Sequence, residues 1–298
     1  MDSDALPLSR SAVDRDAYRR RDGIQAIMAS GRVRVLRVAN GQLAGGATGL
    51  EFADGAGADT ELAYLGTDDQ GWRYVAELNT PADLVGEGLS VRDAGWQLDA
   101  TAAGLATTAL ALSNWHGTHR FCPRCGAATV VAMAGWERHC TRDGSPHFPR
   151  TDPAVIMAIT DDADRLLLGH AMGWPDRHFS VPAGFVEPGE SLEGAVRREV
   201  AEETAIQVGE VRYGGSQPWP FPASLMLGFF GRALNDQPRP DGVEMAEAMF
   251  VSRADLEQLL ADDQIRLPPP TSIAHYLIKE WFGRSWRTTT WRPPPAPS

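Results

Sequence analysis

The sequence predicts an α/β protein: a mixed sheet with helices packed on it over residues 150–285, preceded by a ribbon-like cysteine segment at 119–149 and a smaller β-rich domain at 1–118. Three observations predict it. From residue 150 onward, apolar runs of strand length alternate with helical patterns, as in a sheet covered by helices. Cys122, Cys125 and Cys140 cluster in one short stretch just before that point. Upstream, short apolar runs (33–39, 62–65, 72–78) alternate with Gly-rich stretches such as 44–58, the pattern of a small β domain.

Taken in order, the Ala- and Leu-rich stretch 100–115 has few breakers and predicts a helix leading out of the first domain. Strands follow at 154–160 and 165–170, then a Pro/Gly loop and a helix at about 191–204. Further strands fall at 208–214, 225–232 and 246–252, and helices near 253–261 and 271–283. The tail 286–298 carries Pro293, Pro294, Pro295 and Pro297 and is predicted to be a flexible end.

The net charge of −11 argues against a general nucleic-acid binder, whose affinity rests on neutralising phosphates with Lys and Arg. An acidic chain that acts on anions must supply local positive charge from arginines or a bound metal. Twenty-seven of the 28 basic residues are Arg and only Lys279 is Lys, a bias that reflects genome composition rather than function. The run Arg19, Arg20, Arg21 can meet RNA or phosphate, although a solvated helix face is the simpler expectation. No apolar run approaches the ~20 residues of a membrane helix. The first residues also lack the apolar core of a signal peptide, which predicts a cytoplasmic protein with no membrane partner. Three cysteines do not make a disulfide framework, and the Cys122-Pro123-Arg124-Cys125 spacing points to metal instead.

The most informative segment runs from Gly184 through Glu190 to Arg198-Glu199-Val200-Ala201-Glu202-Glu203-Thr204-Ala205-Ile206. Pro188-Gly189 breaks the chain before it, and Ser191 is a candidate N-cap. At 100° per residue Leu192, Ala195, Val196 and Val200 define one apolar face, with Glu199 and Glu203 at its centre and Glu202 at its edge. A carboxylate at the centre of such a face is costly unless paired or bound to a cation. Glu199, Glu202 and Glu203 can therefore present oxygen ligands to Mg²⁺ or Mn²⁺, with Arg198 beside Glu202 to orient them. Metals so held would neutralise two phosphates and activate water, the chemistry of pyrophosphate hydrolysis. With Gly184 and Glu190 at these spacings, the segment resembles the box of the Nudix hydrolases, which share an α/β/α sandwich and a metal-binding helix of this pattern. Ala205 stands where the family has Gly, so a glycine C-cap is unavailable.

Downstream, Ser216-Gln217-Pro218-Trp219-Pro220-Phe221-Pro222-Ala223-Ser224 carries alternating prolines that exclude a helix or central strand and predict a rigid loop. Trp219 and Phe221 can stack on a flat ring there, while Gln217 and Ser224 can hydrogen-bond a carboxamide, ribose or phosphate. The run resembles the motif that marks the NADH pyrophosphatase branch of the Nudix hydrolases. Asn114-Trp115-His116, Phe121-Cys122, Cys125-Gly126, and Leu267-Pro268-Pro269-Pro270 with Ser272-Ile273-Ala274 are similar to that family as well. The resemblance implies hydrolysis of NADH and NAD to NMN(H) and AMP, removal of NAD caps from RNA, and a homodimer. The competing enzyme reading is a Nudix hydrolase acting mainly on ADP-ribose or another nucleoside diphosphate derivative.

Carried over by position, the resemblance gives the divalent metals to Glu199, Glu203, Glu244 and the backbone carbonyl of Ala183. It gives substrate contacts to Gln217, Pro218, Trp219, Pro220, Phe221, Pro222, Ala223, Ser224, Phe148 and Ala274. Phe148 replaces a family tyrosine, and Phe185 is a further candidate to stack on the nicotinamide. The general base stays open among Glu202, Glu203 and Glu244. Relatives also carry two Cys-Xaa-Xaa-Cys pairs that close a zinc ribbon, whereas the second pair here is Cys140 with Asp143. Structural Zn²⁺ on Cys122, Cys125, Cys140 and Asp143, substitution by His139 or His147, and an emptied ribbon held by Trp136 and Phe121 all remain open.

Overall fold

The computed structural model describes residues 6–46 and 49–286. The Pro-rich tail beyond Trp286 lies outside the described residues. Two units divide the chain: one is built on Leu8–Thr151 with Pro218–Ser224, the other on Asp152–Gln217 and the residues from Leu225 onward.

In the first unit a short helix α1 (Ile24–Met28) precedes β1 (Val33–Ala39), β2 (Gln42–Leu43), β3 (Gly45–Gly46) and β4 (Gly49–Leu50). Next come β5 (Glu61–Thr67), β6 (Arg73–Leu78), α2 (Val91–Ala94) and the long α3 (Ala100–Thr118). Four of the strands form a sheet in the order β2-β1-β6-β5, with β1 and β6 parallel. Asp99 caps α3 by accepting the Ala102 N–H at 2.8 Å, and Leu105, Ala106, Ala109 and Leu110 pack against Leu36, Val38 and Ala76 of the sheet. The cysteine segment forms a second, three-stranded sheet of β7 (Thr129–Ala132), β8 (Glu137–Cys140) and β9 (Pro146–His147). Gly135 lets it approach β5: at φ +90 its Cβ would stand 2.4 Å from the Ala63 Cα. Beside that contact His116 is fully buried. Its Nε2 lies 2.8 Å from the Gly135 carbonyl and its Nδ1 2.8 Å from Arg138 Nη1. Arg138 can only donate, so Nε2 carries the proton and the imidazole is neutral. This histidine is structural.

The second unit contains β10 (Asp152–Thr160), β11 (Leu166–Ala171), β12 (Ala183–Phe185), α4 (Leu192–Thr204), β13 (Val208–Trp219) as far as Gln217, β14 (Ser224–Ala233) from Leu225, and β15 (Met245–Val251). Helices α5 (Arg253–Ala261) and α6 (Ile273–Phe282) complete it. The sheet order is β13-β14-β10-β11-β15, with β12 paired to β10. Alternation along the central strands makes this a sandwich. Ile156, Ala158, Leu166 and Leu168 face a core shared with Leu256, Ile273, Leu277 and Ile278, from α5 and α6. Val155, Met157, Ile159 and Leu167 face the opposite core with Ala195, Val196 and Val200 of α4. Each large apolar side chain so buried contributes about 1.5–3 kcal/mol. Among the described residues no helix is long and apolar enough to cross a membrane.

Pro218 and Trp219 belong to β13 rather than to a loop, and only residues 220–223 turn. The alternating prolines do exclude a central strand, but β13 is the sheet edge, where a residue without an N–H leaves no ladder bond unmade.

Candidate active site

The site starts from how α4 is held. Ser191 caps it, its Oγ accepting the Gly194 N–H at 3.1 Å. At the other end Ala205 adopts the left-handed conformation, φ 57, that the helix exit requires. A Cβ is strained there, so Ala205→Gly is expected to stabilise the chain by about 0.5–1 kcal/mol. A urea titration that leaves the midpoint unchanged or lowers it would contradict this.

The apolar face of α4 carries Glu199 and Glu203 into the unit, 9% and 6% exposed, while Glu202 stays in solvent. Gly184 makes room for them. A Cβ there would lie 2.0 Å from the Glu199 Cδ, so no side chain fits where β12 crosses the carboxylate. Ala183 lies beside it on β12, opposite Ile156 of β10. Arg198 ties the cluster together. Its Nε and Nη2 grip both oxygens of Glu190 at 2.9 and 2.8 Å, and its Nη1 reaches Glu199 at 2.8 Å and Glu202 at 3.0 Å. Nη2 also donates to the Phe185 carbonyl at 2.9 Å, which fixes the backbone beneath the exposed Phe185 ring. These carboxylates raise the pKa of Arg198 further, so it remains a cation.

Glu244 lies far along the chain and reaches the helix through backbone bonds. The Asp241 N–H donates to the Glu203 carbonyl at 3.2 Å, and the Arg239 N–H to that of Thr204 at 2.8 Å, so the segment before β15 caps the helix end. Asp241 Oδ1 then accepts the N–H groups of Val243, Glu244 and Met245 at 3.0, 3.1 and 2.8 Å, a turn that aims Glu244 at the cluster. The result is a concentration of negative charge around one buried group. Burial first, and then the charges of Glu199, Glu244, Asp241 and Glu202, push the Glu203 carboxyl up to about 8. Glu203 Oε2 is buried with no hydrogen-bond partner. An orphaned carboxylate oxygen among carboxylates is what a divalent cation would satisfy, and hard oxygen donors suit Mg²⁺ or Mn²⁺.

The proline segment is anchored within the first unit. Prolines offer carbonyls but no N–H, and Asn114 Nδ2 supplies the donor to Pro220 and Pro222 at 2.9 and 3.1 Å. Trp219 and Phe221 meet edge to face at 4.8 Å, and Arg92 lies over both rings, 4.4 Å from Phe221 and 5.2 Å from Trp219. Pro218, Ala223 and Ser224 are half-buried and Pro222 is exposed. Gln217 points inward: fully buried, it donates to the Thr271 carbonyl at 2.8 Å.

In the ribbon, the ligand atoms of Cys122, Cys125, Cys140 and Asp143 lie within 4.8 Å of one another. Ser145 donates to Asp143 through its hydroxyl at 2.6 Å and its N–H at 2.9 Å, holding that carboxyl well below the usual range. His139 is engaged with Glu137 at 2.8 Å and His147 faces Ser145 at 3.4 Å, so neither belongs to this group of four.

Comparison with known proteins agrees with this geometry. Residues 150–271 match the NUDIX domain and residues 118–148 the NADH pyrophosphatase zinc ribbon domain. A Mycobacterium bovis protein named NAD-capped RNA hydrolase NudC is 40% identical over 300 residues, covering 92% of this chain and 94% of its own. The chain belongs to the NADH pyrophosphatase family of Nudix hydrolases. Human NAD-capped RNA hydrolase NUDT12 is 39% identical over 198 residues, 62% of this chain and 43% of that protein. The crystal structure of a NUDIX hydrolase from Nitrosomonas europaea is similar with a TM-score of 0.45 and 22% identity, over 55% of this chain and 90% of that one.

This Nudix hydrolase thus gathers Ala183, Arg198, Glu199, Glu202, Glu203 and Glu244 in one unit and holds a ribbon with four candidate zinc ligands in the other. The exposed Phe148 follows β9 in the ribbon unit. Ala274 is buried, its N–H spent on the Ser272 Oγ that caps α6. Sequence reasoning missed two residues that shape these sites. Asp241 precedes Gly242, a turn signal that was there to be read; Arg92, one arginine in a short helix, gives no signal of its own.

Proposed function

We propose that this enzyme hydrolyses the pyrophosphate linkage of NADH and NAD to NMN(H) and AMP and removes NAD caps from RNA, with Mg²⁺ or Mn²⁺ held by Glu199, Glu203, Glu244 and the Ala183 carbonyl. The observation that carries the chemistry is the buried, unpartnered Glu203 oxygen among four further carboxylates. The substrate follows from relatives named for NAD-capped RNA that match nearly the whole chain. When bound, the metal supplies charge neutralisation for the diphosphate and a Lewis acid for water.

The chain's own residues do the rest. Arg198 holds Glu199 and Glu202 at fixed angles, and the Asp241 turn brings in Glu244. Glu202 is exposed and outside the proposed ligand set, so it can accept the proton of the attacking water, while Glu203 and Glu244 are committed to the cation. The exposed ring of Phe185, next to the carboxylates, offers a flat face for the nicotinamide, and the family resemblance implies further contacts from Phe148, Trp219 and Phe221. The reading includes a homodimer, the state the family resemblance implies, and the cytoplasmic location expected from the sequence. Competition between NADH and ADP-ribose tests it: a higher kcat/KM on NADH is expected, and preference for ADP-ribose would overturn the dinucleotide assignment.

The ribbon is proposed to hold structural Zn²⁺ on Cys122, Cys125, Cys140 and Asp143, a donor set of three thiolates and one carboxylate at ligand spacing. Elemental analysis is expected to find zinc bound to the purified chain. Because a carboxylate is a harder ligand than thiolate, Asp143→Cys is expected to tighten binding by about tenfold or more. Absence of zinc from both proteins would show the ribbon to be held by packing alone.

A further inference from the structure

Within the first unit a cavity of about 340 Å³ opens beside the ribbon, lined by Tyr18, Arg20, Arg21, Trp136 and Phe148 among others. Its floor is rigid. Trp136 Nε1 donates to the Tyr64 carbonyl at 2.7 Å, which fixes the indole plane. Arg20 lies flat on that plane, its Cζ 3.6 Å from the ring centroid, and Arg15 approaches the same ring at 5.6 Å. Stacking uses the face of a guanidinium and leaves its edge donors for an acceptor.

Those donors lack one. In the run 19–21, Arg19 is bound to Asp16 at 2.7 Å, but Arg15, Arg20 and Arg21 have no carboxylate partner among the described residues. Arg20 Nε is buried without any hydrogen-bond acceptor. Burial, together with the charge of Arg15, lowers the pKa of Arg20, a cost that an anion would relieve. Glu137, the carboxylate in the lining, is engaged with His139 at 2.8 Å. Beside the arginines the ring of Tyr18 is 85% exposed, an open face on which a base can stack.

We propose that this pocket binds the RNA body of an NAD-capped transcript: Arg20 and Arg21 take backbone phosphates of the nucleotides after the cap, and the exposed Tyr18 stacks a base. The inference rests on the reading of the chain as a hydrolase of NAD-capped RNA. Its donors are arginine forks on aromatic planes, the combination that holds single strands with little sequence preference.

The test uses the full chain and a fluorescein-labelled ten-nucleotide single-stranded RNA carrying 5′-NAD, with anisotropy measured across a KCl series. Arg20→Gln with Arg21→Gln is expected to weaken RNA binding about tenfold. The plot of log affinity against log salt should flatten by roughly 1.4, about 0.7 for each phosphate that is no longer neutralised. The kcat/KM on NAD-RNA should fall with the affinity while that on NADH stays within about twofold of wild type. Arg21→Gln alone, at an exposed position, gives the same signs at about half the change in slope and guards against a folding defect from weakened stacking on Trp136. Unchanged RNA binding, or an equal loss on NADH and NAD-RNA, would overturn the proposal. A wild-type chain that cleaves neither substrate yet binds RNA through these arginines would overturn the functional reading and leave the pocket standing.

Discussion

Replacing Glu203 by glutamine is expected to leave a folded protein whose kcat/KM on NADH is lower by about 10²–10⁴-fold, the equivalent of several kcal/mol of transition-state stabilisation. Glutamine keeps the shape and one oxygen but removes the charge that the proposed cation would need. The folded state should gain from the change when no metal is present. Burial lifts the Glu203 carboxyl to about 8 from its ordinary 4.5, so between those values the native chain retains a proton that the unfolded chain has released. The stability contributed by that group is complete below about 4.5 and gone once pH has risen through about 8. Metal-free wild type should therefore lose thermal stability across this window, and Glu203→Gln should lose less. Added Mn²⁺ at the alkaline end should raise the wild-type midpoint far more than that of the variant. Unchanged kinetics, or equal stabilisation of both proteins by metal, would remove Glu203 from the metal site.

Arg198→Ala is expected to cost about 2–3 kcal/mol of stability and at least about 10²-fold in activity, because a single guanidinium serves Glu190, Glu199, Glu202 and the Phe185 carbonyl. Removing it leaves three carboxylates with mutual repulsion and no cation between them. Arg198→Lys discriminates a positional role from a purely electrostatic one. Lysine restores the charge but cannot grip both oxygens of Glu190 while reaching Glu199, so it is expected to recover stability more than turnover. If lysine restores full activity, the fork geometry has no part in positioning the cluster. Chemical denaturation and steady-state kinetics on the same preparations provide both readouts.

Helix α4 and its buried carboxylates were legible because helical geometry and the cost of burying charge are both local. Spacing alone placed Glu199 and Glu203 inside and Glu202 at the edge, and their exposures follow that order. The sandwich was legible because strand-length apolar runs alternate with helical patterns, and the continuous apolar run 155–159 is indeed buried on both faces, in two separate cores. Glu244 was reachable only through resemblance. It depends on the Asp241 N–H meeting the Glu203 carbonyl, a backbone contact between segments far apart in sequence that no periodicity encodes. The proline segment was half legible: proline chemistry excludes a central strand but cannot tell a loop from a sheet edge, which depends on the order of the strands. Gln217 illustrates the same limit, because its inward turn is decided by a carbonyl at Thr271.

The most direct test of the whole account is the identity of the products after NADH is incubated with the enzyme and Mn²⁺, resolved by mass. Reduced NMN and AMP are expected in equal amounts, and none of either when the metal is chelated. Intact NADH, or nicotinamide released with ADP-ribose by cleavage of the glycosidic bond instead of the diphosphate, would contradict it.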